Sequence, residues 1–266
     1  MERTKLKNIL IISLLFITAV LVGFIPPDEK KAEFKLRRIV IDAGHGGKDP
    51  GTSGRISREK DVTLAIALKV GGYISELLPD VEVIYTRETD VFIELKERAN
   101  IANRNRADLF VSIHCNAISS TRAYGTETFV MGNKNFNGNF EIVKRENAVI
   151  LLEDDYQQNY EGFDPKSPES YMMFNLMQKA YFANSLSLAE KIETDLSTRV
   201  NRHSRGVKQA PFYVLWTTSM PSVLIETGFL SNPAEEKYLN SKSGQTYVAS
   251  GIFRAIKAYK EELEAI

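Results

Sequence analysis

The chain has one cysteine, Cys115, so no disulfide can form within it. Alternation along a strand points Cys115 away from its neighbour His114, and Cys115 therefore reads as a core thiol rather than a ligand. Net charge is also lacking, because 34 basic and 34 acidic side chains cancel. Setting aside Glu2, Arg3, Lys5 and Lys7 removes three bases and one acid and leaves roughly minus two, which argues against nucleic acid as a partner. No segment repeats at a fixed period. There is no Gly-x-Ser-x-Gly elbow, no phosphate-binding loop and no His-Glu-x-x-His helix, which speaks against a serine hydrolase, a nucleotide enzyme and a zincin-type protease.

What is present is ordinary globular material, 43% hydrophobic and 26% charged, over 266 residues. The first segment reads as an export signal: Arg3, Lys5 and Lys7 precede an apolar run over residues 9–25. No clean Ala-x-Ala site follows, and the run is near the lower length for a membrane-spanning helix. Residues 1–25 are therefore a signal peptide or an N-terminal membrane anchor, and either places the protein in the periplasm or cell envelope. Pro26-Pro27-Asp28-Glu29-Lys30-Lys31 supplies a polar break, so residues 26–34 form a linker and residues 35–266 the folded domain.

Within that domain, residues 38–42 are apolar and β-branched, and a cluster of Gly44, Gly46, Gly47, Gly51 and Gly54 then makes a loop. Residues 60–78 carry a helical stripe with Glu59 at the first turn. A strand over 81–86, a short amphipathic helix over 95–105, a buried strand over 108–114 and a further strand over 126–131 complete the first half. This order predicts a single α/β domain with a mostly parallel twisted sheet flanked by helices on both faces.

Three short apolar runs end in polar groups: Asp42-Ala43-Gly44-His45, Ser112-Ile113-His114 and Leu224-Ile225-Glu226. If the runs are parallel strands, these groups emerge at strand carboxyl ends, where open α/β sheets hold their sites. One histidine after a strand is commonly structural; two, with glycines around His45, point to a metal. Glu59 offers a third ligand or is only a carboxylate favoured at a helix N-terminus. Two histidines and a carboxylate suit a catalytic zinc with one position open for water. Glu226, at the end of an apolar strand, is costly as a buried charge without a partner, and a metal-bound water is such a partner.

Taken in order, the motifs resemble the zinc-dependent N-acetylmuramoyl-L-alanine amidases of bacterial cell walls, of the cell-separation type. The likeness runs over about residues 38–239. It rests on Asp42-Ala43-Gly44-His45-Gly46-Gly47 with Asp49-Pro50-Gly51, Glu59-Lys60-Asp61, Thr86-Arg87, Arg98 with Ala102-Asn103, and Ser112-Ile113-His114 with Asn116-Ala117. Arg205-Gly206-Val207-Lys208, Val214-Leu215 and Glu226-Thr227-Gly228-Phe229 with Ser231-Asn232 continue it. The resemblance implies Zn2+ as cofactor, held by His45, Glu59 and His114, with Glu226 as the catalytic glutamate. It implies peptidoglycan as substrate, cut between the lactyl group of N-acetylmuramic acid and L-alanine of the stem peptide, in wall remodelling and daughter-cell separation. A zinc peptidase acting on stem peptides and a non-catalytic wall-binding module are the competing readings. A monomer is expected.

A long connection at about residues 133–175 stands out inside so compact a domain. Residues 141–160 suit a helix with Val143, Ala148, Ile150 and Leu151 as an imperfect apolar face. The segment resembles the insertion that covers the zinc of cell-separation amidases until an activator protein moves it. Arg145-Glu146-Asn147 matches its start, so Glu146 is expected to face or ligate the resting metal, the alternative being a solvated acidic helix. Trp216 stands where relatives often carry a basic residue, and is either a wall-facing aromatic or a partly buried one. His203, in a polar stretch, reads as part of a solvated basic face.

Overall fold

The computed structural model describes residues 35–171 and 181–265, which belong to one compact unit. The leader, the linker and residues 172–175 of the insertion lie outside the described residues. Six strands form one sheet: β1 (Arg38–Ala43), β2 (Glu82–Tyr85), β3 (Leu109–Asn116), β4 (Thr126–Val130), β5 (Ser204–Gln209) and β6 (Ser222–Phe229), in the order β2-β1-β3-β6-β4-β5. β2, β1, β3 and β6 are mutually parallel. β4 runs antiparallel to β6 and parallel to β5, so the sheet is mixed at that edge.

Alternation along the strands divides the core. Ile39, Ile41 and Ala43 of β1, Val111, Ile113 and Cys115 of β3 and Val223 and Ile225 of β6 face one side. There they meet the helices α1 (Glu59–Leu77), α5 (Phe182–Thr198) and α8 (Lys242–Glu264), through side chains such as Ile66, Ile192 and Ile252. Val40, Phe110, Leu224 and Phe129 face the other side. That side is covered by α2 (Leu95–Arg104), α3 (Phe136–Asn147) and the single turn α6 (Tyr213–Trp216). By the same alternation Asp42, Ser112, His114, Glu127 and Glu226 share this second face. Among the described residues no helix is long and apolar enough to cross a membrane. The remaining helices are the short α4 (Tyr156–Asn159) and α7 (Pro233–Asn240).

Two details differ from the sequence reading. β3 and β6 continue past His114 and Glu226, so both side chains project from within paired strands rather than from strand ends. A register shift between His114 and Asn116 accommodates the extension. The helix expected over 141–160 starts earlier and ends at Asn147, giving way to a 3-10 turn (Ala148–Leu152) and then α4. A second break separates the 3-10 turn from α4, where Asp155 is left-handed with φ 55°. Splitting the segment also lets Val143 and Ile150 both reach the core, while Ala148 and Leu151 stay half-buried.

Candidate metal centre

Asp42 is buried one residue before the end of β1, where it accepts hydrogen bonds from Thr86 Oγ1 at 2.7 Å and Ser112 Oγ at 2.6 Å and pairs with Arg98 Nη1 at 2.8 Å. Burial opposes its charge, but Arg98 and the two hydroxyls hold the Asp42 carboxyl below its usual range. Arg98 also donates to the carbonyls of Ala43 and His45, each at 2.8 Å, and Arg87 Nη2 donates to that of Gly44 at 2.8 Å. Two buried arginines thus grip three successive carbonyls. They hold His45 in the left-handed region, φ 61°, where a non-glycine residue is strained by about 1–2 kcal/mol. Gly44 is required here, because a Cβ would lie 2.5 Å from the His114 ring.

Four side chains converge above this loop. His45 Nε2 lies 3.1 Å from Glu59 Oε2 and 3.2 Å from Glu146 Oε2, and His114 Nδ1 lies 3.0 Å from Glu59 Oε1 and 3.0 Å from Glu146 Oε2. One ligand atom from each of the four residues falls within 4.8 Å of all the others, and all four are buried. Tetrahedral zinc with bonds of about 2.0–2.2 Å to nitrogen and oxygen has edges of roughly 3.3–3.6 Å, close to these spacings. His45 Nε2 and Glu146 Oε2 face each other without a hydrogen bond to any described residue, as lone pairs directed at one cation do. The donor set therefore fits a metal ion.

The supporting contacts hold the same donors in place. Asp49 Oδ2 lies 2.7 Å from His45 Nδ1, which leaves Nε2 for the centre. Glu59 opens α1, and its carboxylate accepts the backbone N–H of Thr52 at 2.8 Å and of Cys115 at 2.9 Å. Burial works against charging His114, yet the Glu146 and Glu59 carboxylates push it up to about 9, and His45 is raised in the same way chiefly by Glu59. Burial would raise Glu59, but His45 and its hydrogen bonds bring it down to about 2.

Glu226 sits across the β3–β6 pair, in register with His114. It is fully buried, and neither carboxylate oxygen accepts a hydrogen bond from a described residue. Burial, then the charges of Glu146 and Glu59, push its carboxyl well above the usual range. The nearest cation is Arg145, whose Nη2 lies 3.9 Å from Glu226 Oε1. Arg145 also donates to Glu146 Oε1 at 2.9 Å, to the Ala117 carbonyl at 2.6 Å and to Asn116 Oδ1 at 3.1 Å.

The structure thus brings together His45, Glu59, His114, Glu146 and Glu226. Cys115 is buried on the opposite face, its Sγ 3.2 Å from Thr227 Oγ1. His203 is exposed and packs on Tyr124, with ring centroids 4.8 Å apart. Trp216 is half-buried and packs edge-on against Tyr213 at 5.4 Å. Sequence reasoning quoted Asp49 and Arg145 only as pieces of motifs. The one signal for Asp49 was its place four residues after His45, and nothing in the pattern paired Arg145 with Glu226.

A family model described as N-acetylmuramoyl-L-alanine amidase matches residues 39–258. The chain is 36% identical over 227 residues to N-acetylmuramoyl-L-alanine amidase AmiC of Escherichia coli O6:H1, covering 83% of this chain and 52% of that protein. It is 34% identical over 240 residues to AmiA of Escherichia coli K12, covering 89% of this chain and 80% of AmiA. The chain therefore spans about half the length of AmiC and four-fifths of AmiA. The CwlD amidase of Clostridioides difficile, solved in complex with the GerS lipoprotein, superposes with a TM-score of 0.64 at 29% identity, covering 85% of this chain and 99% of CwlD. Matched over most of its length both by the family model and by these relatives, the chain belongs to the N-acetylmuramoyl-L-alanine amidase family.

Proposed function

We propose that this chain is a zinc-dependent peptidoglycan amidase that cleaves the amide between the lactyl group of N-acetylmuramic acid and L-alanine of the stem peptide. One observation carries the reading: a buried carboxylate without a hydrogen-bond partner, Glu226, stands beside a cluster of donors that fits a metal ion. His45 Nε2, Glu59 and His114 Nδ1 would hold the zinc throughout the reaction. When bound, zinc supplies a Lewis acid for the amide carbonyl and lowers the pKa of water toward neutrality. Glu226 accepts the proton of the attacking water and returns it to the leaving nitrogen of L-alanine. No side-chain nucleophile is required.

Glu146 acts as the brake. Its Oε2 lies 3.2 Å from His45 Nε2 and 3.0 Å from His114 Nδ1, where it would occupy the site of a bound metal, and its neighbour Arg145 holds Ala117, Asn116 and the vicinity of Glu226. Water and substrate gain access only when α3 withdraws, and an activator protein that prefers the withdrawn state shifts that equilibrium. CwlD, solved with a lipoprotein, is a relative whose fold meets a protein partner. The leader, residues 1–25, delivers the domain of residues 35–266 to the periplasm or cell envelope, where a monomer acts in wall remodelling and daughter-cell separation.

The test is muropeptide analysis of peptidoglycan incubated with the zinc-loaded protein, with Glu146→Ala and with Glu146→Ala/Glu226→Gln. Free stem peptides released by Glu146→Ala, weakly by the parent and not by the double variant, are the expected result. Stems left intact by Glu146→Ala with zinc bound, or trimmed from their free ends while still attached to glycan, would overturn it.

A further inference from the structure

Next to Glu226, on the same face of the sheet, lies an open cavity of about 620 Å³. Its wall is formed by Glu127, Arg205 and Lys208, with Asn116 and Phe229 at the inner end and Arg145 of α3 opposite. Glu127 is in register with Glu226 across the β4–β6 pair and is buried. Its Oε1 accepts Asn116 Nδ2 at 2.6 Å, and its Oε2 accepts Arg205 Nε at 3.0 Å and also Lys208 Nζ. Two cations therefore share one carboxylate, which leaves one positive charge in excess. Both cations keep part of their side chains open to the cavity: Arg205 is 34% exposed and Lys208 28%. The Arg205 guanidinium also lies over the Phe229 ring, 5.0 Å from its centroid, which restrains it beside the cavity.

We infer that this cavity is a carboxylate-binding subsite for the peptide half of the substrate, with Arg205 and Lys208 as the recognition pair and Glu127 as the buried counter-ion that holds them. The inference rests on the amidase reading, which fixes what lies on each side of the scissile bond. On the glycan side the lactyl carboxyl is consumed in the amide, and the sugars are neutral. The free carboxylates of the uncut substrate all lie on the peptide side. The reach is right: β5 is two strands from β6, about 9–10 Å across the sheet, and two extended residues span roughly 7 Å before their side chains are counted. Arg205 and Lys208 sit on the sheet, so the subsite persists when α3 withdraws. An arginine beside a lysine gives a planar fork and a point charge, which together suit a carboxylate.

Calorimetric titration of the full-length, zinc-loaded Glu146→Ala/Glu226→Gln protein separates this inference from the amidase reading, because binding is read without cleavage. The probes are a stem peptide with a free carboxylate on its second residue, the same peptide with that group as a carboxamide, and N-acetylmuramate, which carries only the lactyl carboxylate. The acid is expected to bind at least about ten-fold more tightly than the amide, and Arg205→Gln or Lys208→Gln should each remove most of that ratio. Equal binding of acid and amide, N-acetylmuramate binding as well as the peptide acid, or variants that weaken acid and amide alike would overturn the inference. Hydrolysis assays in the Glu146→Ala background give the other half. Peptide released with no acid preference keeps the amidase and rejects the subsite, whereas selective binding without release rejects the amidase and keeps the subsite.

Discussion

At the scale of single residues the most consequential contact is the ion pair between Asp42 and Arg98, which touches no reacting group. Both side chains are almost completely buried, and Arg98 carries the loop that presents His45. Asp42→Asn leaves a buried guanidinium without its counter-ion, which costs about 3–5 kcal/mol. Denaturant unfolding of the two proteins should show a loss of that size near neutral pH. The sign of its pH dependence follows from the depressed folded pKa of Asp42. The stabilisation is complete above the ordinary value of 3.8 and is lost as pH falls through the lower folded value, so parent and variant should converge only in that acid range. A difference that disappears already between about pH 5 and pH 7 would show that another group is titrating. Glu59 and the two histidines were legible in the sequence because each follows or precedes a recognisable element. Asp49 and Arg98 were visible only as motif letters, since their work is done through ring nitrogens and carbonyls that a one-dimensional pattern does not place.

At the scale of elements, the strands of the parallel half were readable because their apolar runs are short and bounded, and alternation then assigned each residue to a face. Strand lengths were less so. β3 and β6 continue through polar residues, His114 to Asn116 and Glu226 to Thr227, because their partners across the sheet satisfy the backbone. The insertion was readable as an insertion but not as an architecture. Its helix ends at Asn147 because that side chain turns to serve other segments: Oδ1 accepts Tyr213 N–H at 2.9 Å, and Nδ2 donates to the Pro211 carbonyl at 3.1 Å and to Tyr171 Oη at 3.3 Å. Asn147 is thus the fastener of α3, placed directly after the residue proposed as the brake. Asn147→Ala removes those bonds at a cost of about 2 kcal/mol to docking, equivalent to roughly a 30-fold rise in the undocked population. Peptidoglycan hydrolysis without any activator should rise accordingly. Unchanged basal activity, with the expected loss of stability, would mean that α3 does not gate the site.

At the scale of the whole molecule, the candidate ligands come from four separate places: the loop after β1, the start of α1, the middle of β3 and the end of α3. A bound ion is therefore a cross-link that ties the insertion to the sheet, not only a reagent. It should stabilise the native state by about 2.7 kcal/mol at a free concentration one hundred times its dissociation constant, which for a domain of this size is roughly 5–10 °C in melting temperature. Chelation should reverse that shift, and the loss should be unevenly distributed. The sheet and the helices α1, α5 and α8 keep their own apolar core without the ion, whereas α3 depends on Val143, Asn147 and the Glu146 contact. Limited proteolysis followed by mass spectrometry should then find the first new cuts between residues 133 and 171 once metal is removed, and none there when zinc is restored. Glu146→Ala should cut at the same positions with zinc present, because the link to the insertion is severed while the other three ligands remain. Cuts that appear first elsewhere on chelation, or an insertion equally resistant with and without metal, would detach the brake from the ion and leave the Arg145, Val143 and Asn147 contacts to hold α3 closed.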